Sequence, residues 1–229
     1  LSPDNSQLAF ITSTSNIDSL WLNIRESERN VLLYQSAKDE VLSDINWSSS
    51  NRNLLFTSRE NGKSKIIEID LELGESTTLL VNQNNVKKGK WSHDGQHVYW
   101  YESGEDSWRV IEKNLQTSKQ KVLLEKPISR YEVIDGHIIY QKIGQTSVHL
   151  KSFSSDETVL PTEKKLFSSI NSFAWDVHPQ TTYFLPRSKS SKASMLTSYD
   201  VKTGVSQQLF PIIVEQFVDS GRQLSVRKE

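Results

Sequence analysis

Hydrophobic and polar positions exchange every few residues along this chain. Short apolar runs such as Val31-Leu32-Leu33-Tyr34 and Val98-Tyr99-Trp100-Tyr101 are separated by stretches rich in Ser, Asn, Asp and Gly. In Val148-His149-Leu150-Lys151 the alternation is strict, which puts Val148 and Leu150 on one face of a strand and His149 and Lys151 on the other. No window sustains apolar residues at i, i+3, i+4 and i+7. The pattern therefore predicts strands of ~4–7 residues joined by polar turns, and very little helix.

The pattern also repeats. Six ten-residue blocks share one grammar: LSPDNSQLAF (Leu1–Phe10), WSSSNRNLLF (Trp47–Phe56), WSHDGQHVYW (Trp91–Trp100), YEVIDGHIIY (Tyr131–Tyr140), WDVHPQTTYF (Trp175–Phe184) and FVDSGRQLSV (Phe217–Val226). Their first residues lie 46, 44, 40, 44 and 42 apart. Each block opens on Leu or an aromatic, passes through a polar turn and ends in an apolar run. Two further apolar runs follow in each complete unit, as at Leu20–Ile24 and Val31–Tyr34. Asp, Asn, Pro and Gly at the turns supply preset or positive φ.

Four short strands in a unit of ~40–45 residues is the signature of a β-propeller blade. One such sheet cannot bury both of its faces, but stacked sheets can. The expected fold is all-β, a single six-bladed propeller over residues 1–229. Its blades would cover approximately 1–36, 45–82, 89–126, 130–162 and 173–212, with 215–229 an incomplete last blade. Trp47, Trp91, Tyr131, Trp175 and Phe217 are the expected blade anchors, because a buried aromatic dominates local packing. Pro3, Asp4, Asp94, Gly95, Asp135 and Gly136 are the expected repeat-turn residues. Six full units would run about 30 residues beyond the 229 present, so two strands are expected upstream of Leu1; the alternatives are a ring whose last blade is half built and a five-bladed ring with an appendage.

Composition narrows the chemistry. There is no cysteine, which removes disulfides, thiolate zinc sites and cysteine nucleophiles. The formal net charge of −1 gives no global electrostatic case for nucleic acid or an anionic membrane. Strictly apolar runs reach four residues where a membrane span needs ~20. The first residue is Leu and no signal-peptide pattern follows it, so targeting information is expected outside this stretch. The modest apolar share, 35%, suits thin sheets with one aromatic anchor each.

LSPDNSQLAFITS and WSHDGQHVYW resemble the TolB-type propeller repeat, an apolar or Trp residue followed by Ser-Pro-Asp-Gly and an apolar strand. Trp91, Ser92, Asp94 and Gly95 match, with His93 in place of Pro; Leu1, Ser2, Pro3 and Asp4 match, with Asn5 in place of Gly. The second unit keeps Trp47 and Ser48, the fourth Asp135-Gly136, and the fifth its Trp. The resemblance implies one of three settings. The first is a periplasmic sensor propeller of a membrane-anchored winged-helix transcriptional regulator. The second is a free periplasmic TolB-like subunit, and the third the gating propeller of a prolyl-oligopeptidase-like serine hydrolase.

No catalytic constellation stands out. Gly74-Glu75-Ser76-Thr77-Thr78 lacks the second Gly of a nucleophile elbow. There is no phosphate loop, EF-hand or His-Glu-x-x-His. In Ser92-His93-Asp94-Gly95 the Gly comes one residue too early for the sialidase-type box. The recurrent Asp4, Asp94, Asp135 and Asp219 read as turn caps rather than acid–base pairs. His93, His97, His137, His149 and His178 read as turn and strand residues, although His93 and His178 occupy related turns that could meet a ligand. Two basic stretches, Lys87-Lys88-Gly89-Lys90 and Arg187–Lys192, could dock an acidic partner or phosphate groups, but they carry no interleaved aromatics and read as solvated loops balanced by the acidic Glu102–Asp106. The expectation is a non-catalytic, cofactor-free binding module in the periplasm. It would take a protein or small ligand at a rim or channel mouth, bind no nucleic acid directly and contain no membrane span.

Overall fold

Among the described residues the regular structure is nineteen strands, grouped in five antiparallel meanders. The coordinates are a computed structural model and describe residues 1–103, 107–134, 136–153, 162–168, 170–178, 181–186 and 193–213. Among the described residues no helix is present. The first sheet holds β1 (Gln7–Thr14), β2 (Ile17–Ile24) and β3 (Arg29–Gln35). The second holds β4 (Val41–Trp47), β5 (Asn53–Glu60), β6 (Lys63–Asp70) and β7 (Glu75–Asn82). The third holds β8 (Val86–Trp91), β9 (His97–Ser103), β10 (Trp108–Asn114) and β11 (Gln120–Glu125). The fourth holds β12 (Ile128–Ile134), β13 (His137–Lys142), β14 (Val148–Ser152) and β15 (Glu163–Phe167). The fifth holds β16 (Ile170–His178), β17 (Thr181–Pro186), β18 (Ala193–Asp200) and β19 (Ser206–Ile213).

The sheets divide between two compact units, Leu1–Lys126 and Pro127–Glu229. In the first unit the second sheet buries both faces. Phe56, Ile67 and Ile69 pack with Leu20 and Leu42, and with Ala9 and Ile11 of β1. Leu55 and Ile66 pack instead with Val86, Val98, Trp100 and Ile111. The two-residue alternation of strands produces this division, since Leu55 and Phe56 are neighbours pointing opposite ways. Full burial of such side chains contributes roughly 1.5–3 kcal/mol each. In the second unit Ile134, Ile139, Val148 and Leu150 form one cluster with Phe184, Tyr199 and Val201.

Each four-stranded sheet begins two to four residues before the boundary expected from its block, because the head residue closes a strand (Trp47, Trp91) or lies inside one (Tyr131, Trp175) rather than opening it. The heads also differ in register. Trp47 and Trp91 pair with Leu54 and Val98, two residues before Phe56 and Trp100. Tyr131 and Trp175 pair directly with Tyr140 and Phe184. Turn length is the cause in the first pair of cases and the fourth sheet. Five residues, Ser48–Arg52, separate β4 from β5, whereas only positions 135 and 136 separate β12 from β13. A shorter turn with longer strands leaves the block length unchanged and moves the head along the same face. Phe217 and the rest of the sixth block lie outside the described residues.

Candidate functional site

The repeat turns sit at one end of the sheets and are built alike. Ser2, Ser48 and Ser92 each donate their backbone N–H to a carbonyl five residues on, at 2.8, 2.8 and 2.9 Å. Their hydroxyls accept the N–H of that same residue, Gln7, Asn53 or His97, at 2.9, 3.0 and 2.9 Å. The left-handed position falls on Asn5 (φ 63°), Asn51 (φ 61°) and Gly95 (φ 70°), types that tolerate it. Asp4 accepts from the Ser2 hydroxyl at 2.6 Å and the Ser6 N–H at 3.0 Å. Asp94 accepts from the Ser92 hydroxyl at 2.5 Å and the Gln96 N–H at 3.0 Å. In the second sheet Ser50 stands in this place and bonds Ser48 at 3.0 Å. Neighbouring turns are linked, with the Ser49 hydroxyl on the His93 carbonyl at 2.6 Å.

These bonds set the local electrostatics. The Ser2 hydroxyl, with the Ser6 N–H and hydroxyl, holds the Asp4 carboxyl below its ordinary range. Partial burial pushes Asp94 up, but the donors from Ser92 and Gln96 and the neighbouring His97 outweigh it, and its carboxyl also lies low. Pro3 is exposed beside Asp4, and Gly136 carries the positive φ (72°) of its turn. Asp135 and Asp219 lie outside the described residues.

The opposite end of the first unit holds the buried carboxylates Glu40 and Glu102, which the repeat did not reveal. Glu102 is 3% exposed. It accepts from Trp100 Nε1 at 2.9 Å, Asn82 Nδ2 at 2.6 Å and Arg109 Nη2 at 2.7 Å. Beside it Tyr101 stacks on Trp108 with ring centroids 4.5 Å apart, and the Lys87 ammonium lies 5.6 Å from the Trp108 centroid. Glu40, also 3% exposed, accepts from the Ser58 hydroxyl, the Ala37 N–H at 2.8 Å and the Tyr34 hydroxyl at 3.3 Å. Burial, then the Glu40 charge, pushes the Tyr34 phenol up.

Between sheets, side chains tie one strand to the next. The Leu42 N–H donates to Asp18 Oδ2 at 2.8 Å, and in the next repeat the Val86 N–H donates to Ser64 Oγ at 3.2 Å. Asp44 (φ 56°) and Lys88 (φ 55°) occupy equivalent bulges, and the Lys88 N–H donates to Asp44 Oδ2 at 3.0 Å. The basic stretch expected to be a solvated loop therefore belongs to strand β8.

The remaining candidates disperse. Tyr131 is fully buried at 1% exposure, while Trp47 and Trp91 are half-buried, with indole N–H groups that lack hydrogen-bond partners. The fully buried aromatics at block ends are Phe56, Trp100, Tyr140 and Phe184; an apolar residue two places earlier marks the first three, whereas Thr182 stands there before Phe184. For Trp175 the backbone pairing alone is described. His97 contacts Asn114 at 3.1 Å. In the second unit His149 stacks on Tyr140 and contacts the Ser147 hydroxyl at 3.1 Å, while Tyr140 donates to Glu163. Ser76 is exposed on β7. No group of three or more metal-ligating side chains occurs among the described residues. Arg187–Lys192 and residues 104–106 lie outside them.

No family model matches the chain, and no curated protein matches it in sequence. Solved structures do. TolB from Acinetobacter baumannii is similar at 13% identity over 90% of this chain and 51% of its own, with a TM-score of 0.64. Oligogalacturonate lyase from Vibrio parahaemolyticus is similar at 13% identity over 97% of this chain and 67% of its own, TM-score 0.65. The β-propeller domain of the Trilobed protease from Pyrococcus furiosus is similar at 14% identity over 90% of this chain and 68% of its own, TM-score 0.60. The chain thus spans about half the length of TolB. At these identities the likeness shows the fold alone, and that fold is the TolB-like β-propeller.

Proposed function

We propose that this chain is a non-catalytic binding module: one six-bladed propeller, with residues 215–229 contributing to its last blade. The reading rests on one observation. The buried carboxylates Glu40 and Glu102 each accept three hydrogen bonds from this chain's own groups, and buried Asp18 accepts one from the Leu42 N–H. A carboxylate already held by two or three donors serves structure; a general base must reach a substrate proton. The partner is a protein or small ligand taken at a rim or channel mouth. The setting is the periplasmic sensor region of a membrane-anchored transcriptional regulator, or a TolB-like interaction subunit. Among the described residues no helix is long and apolar enough to cross a membrane, so such an anchor would lie elsewhere in the parent protein.

The likeness to a protease's propeller domain supports a second reading, in which the chain gates a serine hydrolase. The parent reading frame separates the two. The regulator predicts a membrane helix and a winged helix upstream, and the hydrolase predicts Gly-x-Ser-x-Gly downstream. The purified chain should show no peptidase, esterase or polysaccharide-lyase turnover. Robust turnover abolished by substitution of a named side chain would overturn the binding-module reading.

A further inference from the structure

The β5–β6 hairpin turns on two residues, Asn61 and Gly62, with Glu60 paired to Lys63 across its base. Both have positive φ, 51° and 77°, the requirement of a type I′ turn. Of the 13 asparagines in the chain, Asn61 alone is followed by glycine. Both turn residues are exposed, the Asn61 amide makes no hydrogen bond, and nothing lies within 4 Å of a Cβ built on Gly62. The Asp94-Gly95 turn differs, because the Asp94 side chain is held by Ser92 and the Gln96 N–H.

We infer that Asn61 is a site of spontaneous deamidation, a covalent modification that alters this corner of the second sheet. The Gly62 backbone nitrogen attacks Asn61 Cγ, the C–N bond of the side-chain amide breaks, and ammonia leaves with the amide proton. Water then opens the resulting succinimide at either carbonyl, giving aspartate or isoaspartate, with no oxidant or cofactor. Glycine favours the first step because it has no side chain to hinder the approach. Either product adds a negative charge beside Glu60, whose partner Lys65 sits at 3.5 Å. Isoaspartate also adds a methylene to the main chain, which a two-residue turn between paired strands cannot absorb without moving them. The strands concerned carry Ser58, which donates to Glu40, and Ser64, which accepts from the Val86 N–H. Ageing at Asn61 should therefore loosen ties to both neighbouring sheets.

The test is incubation of the folded chain at mildly alkaline pH and 37 °C. Intact mass would be followed, with peptide mapping by electron-transfer fragmentation to distinguish aspartate from isoaspartate. The expected result is a single-unit mass gain at Asn61 ahead of every other asparagine, including the exposed Asn5, which precedes Ser6. The Asn61→Gln variant should lose that early gain. Material enriched in isoaspartate should exchange the Val86 amide proton faster than fresh material. Asn61 unchanged while Asn5 or Asn171 converts would overturn the assignment. Unchanged exchange at Val86 would overturn the claimed structural consequence.

Discussion

The two ends of the first unit solve the same problem differently. At the turn end, Ser2, Ser48 and Ser92 make the same two bonds to a residue five places on, and every partner is local. At the other end, Glu40 collects neutral donors from Tyr34, Ala37 and Ser58, whereas Glu102 collects Trp100, Asn82 and the Arg109 guanidinium. Local solutions recur because one short motif carries them. Solutions that span 18 or 20 residues, as Ser58–Glu40 and Asn82–Glu102 do, can be reinvented in each repeat.

The sharpest break in the comparison is Trp100→Ala. It empties a site exposed by only 1% and deletes a donor to Glu102. We expect a loss of about 3–5 kcal/mol in urea unfolding. Half-buried Trp91 should cost less on truncation, and equal losses would mean that the block heads, not the block ends, carry the packing. Next is Arg109→Met, which leaves Glu102 buried without its cation and should cost about 2–3 kcal/mol. The corresponding change at the neutral site, Ser58→Ala, should cost about 1–2 kcal/mol. A double-mutant cycle of Ser58→Ala with Glu40→Gln should give a coupling near the single-mutant loss, and additivity would remove the proposed tie.

The same division explains what could be read from the chain. Strand content and turn positions were legible because alternation and Asp/Asn/Gly chemistry act within ten residues. Asn5 could replace Gly at the left-handed position, and it does so at φ 63°. The pair of buried Glu102 and half-buried Arg109 was not legible, since its members face each other on paired strands and are ordinary charged residues in one dimension. Even Asp18 and Ser64, which do the same job in successive repeats, share no residue type. The head aromatics divide, with Tyr131 fully buried and Trp47 and Trp91 half-buried. Equal block lengths hid a two-residue shift, because a long turn in the third sheet and a short one in the fourth are compensated by strand length.

The smallest expected effect tests the turn end alone. Asp4 is held low by Ser2 and Ser6, and Asp94 by Ser92 and Gln96 against a partial burial that pushes it up. A carboxyl depressed in the folded state contributes stability that is fully present above its unfolded value, about 3.9 for Asp, and is lost as pH falls through the folded value. The acid limb of a stability–pH curve should therefore fall below about pH 4. The second sheet's turn already dispenses with a carboxylate by using Ser50. Asp4→Ser with Asp94→Ser should reproduce that arrangement, flatten part of the acid limb and change the neutral-pH unfolding midpoint less than Ser58→Ala does. An unaltered acid limb would show that the low carboxyls at these turns do not govern acid stability, and that other carboxylates such as Asp70 and Asp200, both also held low by turn N–H groups, do.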